Sequence, residues 1–220
     1  MATFEGFKPD RQLILVTDVR NAINLSTRCA NSVSLANRHA DSQQLHFQPH
    51  LQAYTVSQLL SDTFGINGHE HQQTTVIRDK FLNVAARLKR AEFIFSAKPP
   101  GDPGHLKLGA YTEAGHRTAN TIFITAEYFG SKTPPAAAPP LSKASTVTVA
   151  TPHTTPTDRA AILIHEGIHL LHPEVQQNAG HPGPPGLATP LLFDRAPMRI
   201  PYSSAVLNPY CYQNFALWLK

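Results

Sequence analysis

The chain has 220 residues, 41% of them hydrophobic, enough to bury a substantial core in a single domain. Charged residues make up only 15%, and a formal charge of +4 is spread without any run of like charges, so nothing in the balance fits a nucleic-acid arm or a membrane-binding face. No stretch reaches the roughly 18 apolar residues of a membrane span, and "MATFEGFKPDRQ" lacks the basic-then-apolar pattern of a signal peptide. Export, if it occurs, is then expected to use another route; otherwise the protein is expected to be cytoplasmic.

Residues 12–36 carry Leu15, Val19, Ala22, Ser26, Cys29 and Val33 at steps of three and four, which predicts an amphipathic helix with a small-residue face. A second helix is expected over 54–62, ending before Phe64 and Gly65. A third has Ile77, Phe81, Val84, Ala85 and Leu88 as its apolar stripe and Arg78, Lys80, Arg87 and Lys89 opposite. The period then changes. "EFIFSAK" (92–98), "HLKLGAYT" (105–112) and "TIFITAEYF" (121–129) are short, rich in β-branched and aromatic residues, and separated by turn-forming segments, so they read as three strands. The last is expected to be the edge strand of the sheet. The Pro-rich stretches 133–143 and 151–157 are expected to be loops flanking "STVTVA". With no internal repeat and no polar linker, residues 1–220 are expected to form one α+β domain of two lobes around a cleft.

"AILIHEGIHLLH" (161–172) carries the chemistry. Thr157 or Asp158 suits the N-cap, and Pro173 stops the helix by excluding helical geometry from the residue before it. His165 and His169, four apart, stack on one face where both rings can meet a single metal ion, with Glu166 beside them as general base. Ile162, Leu163, Ile164, Ile168, Leu170 and Leu171 make the helix apolar nearly all round, which predicts burial on most sides. The competing reading is a pair of core histidines satisfied by hydrogen bonds. Burying two imidazoles and a carboxylate among such residues is costly without a metal or other partners.

A catalytic zinc takes three protein ligands and a water. Asp194 is the first choice for the third, since it is the only acidic residue after Glu174. Glu174 lies just past the helix, and His181 sits in "AGHPGPPG"; both stay open. His172 is about 10 Å along the helix from His165 by helical rise, too far to share one ion easily. Val175 stands where metzincin spacing requires histidine. His39, His46, His50, His105, His116 and His153 lack ligand spacing. Cys29 and Cys211 form no CxxC pair, and the sequence leaves one disulfide or two buried thiols open.

The pattern resembles the zincin metallopeptidases, in particular the aspzincin group of deuterolysin-like and lysine-specific metallo-endopeptidase-like enzymes. Besides HExxH, "DTFG" (62–65) and "TTVIRDKFLNVAARL" (74–88) are similar to the family's Phe-Gly element and following helix. "TIFITAEYF" is similar to its strand before the catalytic helix. "NPYCYQNFA" (208–216) is similar to its terminal helix, retaining Asn208, Tyr212, Phe215 and Ala216. The family takes its third ligand from Gly-Thr-x-x-Asp-x-x-Tyr-Gly; here Thr189, Asp194 and Tyr202 keep that order at longer spacing, and Gln213, on the expected final helix, sits where a glutamate-using zincin would supply its ligand, though a neutral amide is a weaker zinc donor than a carboxylate. The dense cysteine set of the secreted fungal enzymes is absent, and the chain looks more like bacterial relatives. Some of those resemble peptidase effectors, or toxins, attached to the spike proteins of type VI secretion.

The resemblance implies a zinc endopeptidase acting on a peptide or protein. His165, His169 and Asp194 would hold Zn²⁺, Glu166 would be general base and acid, and Tyr202 or Tyr212 would stabilise the oxyanion. The family's lysine specificity needs an acidic pocket, and so few carboxylates offer none that can be located. A second expectation, from another class, is a non-catalytic binding or effector module that keeps the zincin fold.

Overall fold

The computed structural model describes residues 1–42, 51–66, 69–96, 109–112, 120–129, 155–172 and 201–219. Among the described residues, chain order runs β1 (Thr3–Glu5), α1 (Pro9–Ser42), α2 (Leu51–Phe64), α3 (His71–Leu88), β2 (Glu92–Phe95), β3 (Ala110–Tyr111) and β4 (Thr121–Ile124). A 3-10 turn (Ala126–Phe129) follows, then α4 (Pro156–Leu171), α5 (Tyr202–Ala205) and α6 (Pro209–Trp218). The arrangement is α+β, helices with a small mixed sheet. The Pro-rich segment 133–143 and "STVTVA" (145–150) lie outside the described residues.

The α1 stripe from Leu15 to Val33 is buried at all six positions read from the sequence, and so is the α3 stripe of Ile77, Phe81, Val84, Ala85 and Leu88. Small side chains on α1 let α3 approach closely, and among the described residues this is the most extensive helix pair. At its centre the buried Ser26 hydroxyl donates to the Phe81 carbonyl at 2.7 Å, so that polar group is satisfied. Each large apolar side chain closed into this seam contributes about 2 kcal/mol. Both α1 and α2 are longer than the sequence suggests. Phe64 belongs to α2 because its ring docks against Tyr212 and Phe215 of α6, and Gly65, at φ +67°, then ends the helix in the left-handed region.

The sheet order is β1-β2-β4-β3, with β1, β2 and β4 parallel and β3 antiparallel to β4. Cross-strand aromatic pairs fix the register: Phe4 stacks on Phe93 at 5.4 Å and Tyr111 on Phe123 at 5.0 Å. The expected edge strand needs correcting. β4 pairs on both sides, so its main chain is committed, and among the described residues β3 forms that edge. The strand in 121–129 also stops at Ile124, because the chain turns into the 3-10 segment that carries Tyr128 inward. β1, only three residues long, is too short for periodicity to reveal.

Helix α4 lies against α1, α3, α6 and β3, and Ala160 to Leu170 are all buried, as its apolar sequence predicts. Gly167 makes the contact with α3 close: a Cβ there would stand 2.7 Å from a Val84 methyl. Cys29 and Cys211 are separate buried thiols, and burial pushes both pKa values up. Among the described residues no helix is long and apolar enough to cross a membrane.

Candidate active site

Thr155, rather than Thr157 or Asp158, is the N-cap of α4. Its extended backbone and the fixed φ of Pro156 at the first helical position start the helix two residues earlier. The Thr155 side-chain oxygen accepts from the Asp158 N–H at 3.1 Å and its hydroxyl donates to the Asp158 carboxylate at 2.6 Å. The helix ends at Leu171 with His172 as C-cap, where Pro173 requires it. Two and a half turns in, His165 and His169 come together with ring centres 5.0 Å apart and planes at 64°.

Two imidazoles on one zinc, each at a Zn–N distance of about 2.1 Å with a near-tetrahedral angle between them, have ring centres about 5 Å apart. The observed distance between ring centres matches that spacing. His165, Glu166 and His169 are 6%, 5% and 6% exposed, so all three are nearly closed off from solvent. The Nδ1 atoms of both histidines are buried and have no hydrogen-bond partner among the described residues. Burial pushes the Glu166 carboxyl well above the usual carboxylate range, and a hydrogen bond from the Thr112 side chain works against that by favouring the charged form. Thr112 directly follows β3.

Of the three tyrosines near the C-terminus, the one at the histidine pair is Tyr210, which the sequence analysis did not name. Its ring stands edge-on to His165 with centres 4.5 Å apart. Burial, and then the nearby Glu166 charge, push its phenol up to about 12, so it stays protonated. The two expected tyrosines are committed elsewhere. Tyr212 sits between Phe64 and Phe81 and donates to the Val206 carbonyl at 3.0 Å, an acceptor shared with Lys80. Tyr202 donates to the Gln73 carbonyl at 3.4 Å. A signal for Tyr210 was available: with Gln213 and Asn214 it forms an i, i+3, i+4 polar set on α6, and both amides are buried. Asn208 caps that helix by accepting from the Tyr210 N–H at 3.0 Å, which fixes where the ring starts.

Among the proposed third ligands, Gln213 is buried on α6, which packs on α4. Asp194, Glu174 and His181 lie outside the described residues. Among the described residues no group of three His, Cys, Asp or Glu side chains is placed to hold one metal ion.

A second buried polar group also escaped the sequence analysis. Asp18, on α1 and 1% exposed, receives Arg159 of α4 through Nε at 2.7 Å and Nη2 at 3.2 Å, and the Tyr128 hydroxyl donates to it at 3.3 Å. Local sequence could not reveal a pair separated by 141 positions. No protein-family model matches the sequence, and no curated protein matches it.

Proposed function

We propose that the protein is a zinc-dependent endopeptidase of zincin type. The observation that carries this is the His165–His169 pair: two buried imidazoles at a spacing suited to one zinc ion, on a helix whose intervening residue is a buried carboxylate. In this reading Asp194 supplies the third ligand. A zinc ion bound there would supply Lewis acidity and bring a water's pKa to about 7.

The remaining chemistry belongs to the chain. Glu166 takes a proton from the attacking water and delivers it to the leaving amine. Its raised proton affinity suits that exchange, because a carboxyl of ordinary acidity would hold a proton poorly near neutral pH. Tyr210, kept protonated, offers its phenol as donor to the oxyanion on the His165 side, the role first expected of Tyr202 or Tyr212. An extended peptide would pair with the β3 edge, which lies against α4.

Zinc per chain, measured by elemental mass spectrometry on the parent, Asp194→Ala and Glu166→Gln, together with peptide hydrolysis, tests this. The expected result is about one zinc in the parent and in Glu166→Gln, far less in Asp194→Ala, and hydrolysis reduced at least 10²-fold in Glu166→Gln. A parent without zinc, or a Glu166→Gln variant as active as the parent, overturns the reading. Zinc retained in Asp194→Ala removes only that residue's assignment and moves the search to Gln213, Glu174 and His181.

A further inference from the structure

We propose that the groove between α1, the start of α4 and the end of α6 is a binding site for a small organic carboxylate with an apolar body. The cavity there has a volume of about 590 Å³, within the range of small-ligand sites. It is separate from the histidine pair, and the inference does not depend on the peptidase reading. α4 and α6 pass each other in opposite directions: Tyr210, in the first turn of α6, meets His165 in the middle of α4, whereas Pro156, Thr157 and Ala160 of α4 line the cavity with Ala216 and Leu217 of α6. Helical periodicity also puts Pro156, Thr157 and Ala160 on the opposite side of α4 from His165 and His169.

The walls of the cavity differ in chemistry. On α1, Asn21, Asn24 and Arg28 follow one another at steps of three and four, so two carboxamides and a guanidinium share one side. Leu25, Leu217 and Leu219 supply the apolar part, and Leu25 and Leu217 are only half-buried, so they keep apolar surface that an occupant would cover. The lining holds no Asp or Glu. Carboxylates next to it in sequence are committed elsewhere: Asp18, one turn before Asn21, receives Arg159 at 2.7 Å, and Asp158, beside Thr157, accepts from the Thr155 hydroxyl at 2.6 Å. The charge that the cavity presents is therefore positive.

A carboxylate complements this arrangement. The Arg28 guanidinium can donate to both of its oxygens, and the Asn21 and Asn24 side chains offer further N–H donors on the same wall. An apolar tail directed at Leu25, Leu217 and Leu219 is withdrawn from water. The first turn of α4 is not the source of the anion preference, because Pro156 has no N–H and that of Asp158 is taken by Thr155. Selectivity follows from the charge: a neutral amide of the same length keeps the apolar contact and loses the ionic one, and an alkylammonium meets Arg28 as a like charge.

The test is isothermal titration calorimetry of the full chain with octanoate, octanamide and octylammonium. Octanoate is expected to bind once per chain with a Kd below about 1 mM, at least about tenfold more tightly than octanamide, while octylammonium gives no saturable heat. Arg28 and Asn24 are exposed, so replacing them leaves the core intact. Arg28→Gln should weaken octanoate about tenfold and leave octanamide unchanged, and Asn24→Trp, which places a bulky ring in the cavity, should abolish binding of both. As a second readout, octanoate should raise the denaturation midpoint of the parent but not of Asn24→Trp. No saturable binding of octanoate, octylammonium binding as tightly as octanoate, or octanoate affinity unchanged in Arg28→Gln or Asn24→Trp each overturns the proposal.

Discussion

The two ends of α4 both bury ionisable groups, in opposite ways. In the first turn, Arg159 meets Asp18 through two hydrogen bonds and Tyr128 adds a third, so positive and negative cancel and α1, α4 and the 3-10 turn are joined. Two turns later, His165, Glu166 and His169 are gathered at similar depth, and the hydrogen bond that Glu166 accepts from Thr112 comes from a neutral hydroxyl. The first set is complete within the fold. The second gathers two imidazoles and a carboxylate, the set that the proposed function assigns to a zinc ion and its water. On the proposed function, losing Asp18 or Arg159 costs stability, whereas losing Glu166 costs hydrolysis.

The largest expected effect is at the first end. Asp18→Ala leaves the mostly buried Arg159 without its counter-charge and should destabilise the protein by about 3 kcal/mol or more, read from chemical denaturation. A loss under about 1 kcal/mol would place the pair among surface ion pairs and break the contrast. Next comes Gly167→Ala, whose methyl would press on Val84; overpacking of this kind costs about 1–3 kcal/mol. Val84→Ala added to it should recover part of that loss, and no recovery would mean that the strain lies elsewhere.

Thr155→Ala removes the N-cap and should cost about 1 kcal/mol. Because the cap lies at the stabilising end, zinc content should be unchanged; a fall in zinc would link the two ends. The smallest effect is a slope. Burial raises the Glu166 pKa above its ordinary 4.5, so the folded chain keeps a proton that the unfolded chain releases. The contribution of Glu166 to the stability of the metal-free protein should therefore be full below that value and be lost as pH rises past it, until the folded carboxyl itself ionises. Glu166→Gln should flatten this slope, measured as the denaturation midpoint against pH. An unchanged slope would mean that Glu166 is not buried in its protonated form.

Much of the framework was legible because it is local. The stripes Leu15–Val33 and Ile77–Leu88 follow helical periodicity, and burial follows the stripe. The α4 limits were nearly right, with an N-cap two residues early because Pro156 at the first helical position favours Thr155. The strands were found less well. β-Branched and aromatic runs mark where a strand can form, but neither the stop at Ile124 nor the edge position of β3 is written into a single segment. The same limit explains the tyrosines: Tyr202 and Tyr212 were chosen by motif, while Tyr210 is the one whose ring reaches His165.

By itself, the sequence determined that a buried helix would carry His165 and His169 on one face with Glu166 between them, since 3.6 residues per turn and an apolar surround leave little choice. Tertiary structure alone decided which groups meet that face from other elements: Thr112 from the edge of the sheet and Tyr210 from the last helix. It also decided that Arg159, six residues before His165, would spend its charge on Asp18. The physical reason is that periodicity acts over one or two turns of chain, whereas these contacts are set by how separate helices and strands pack.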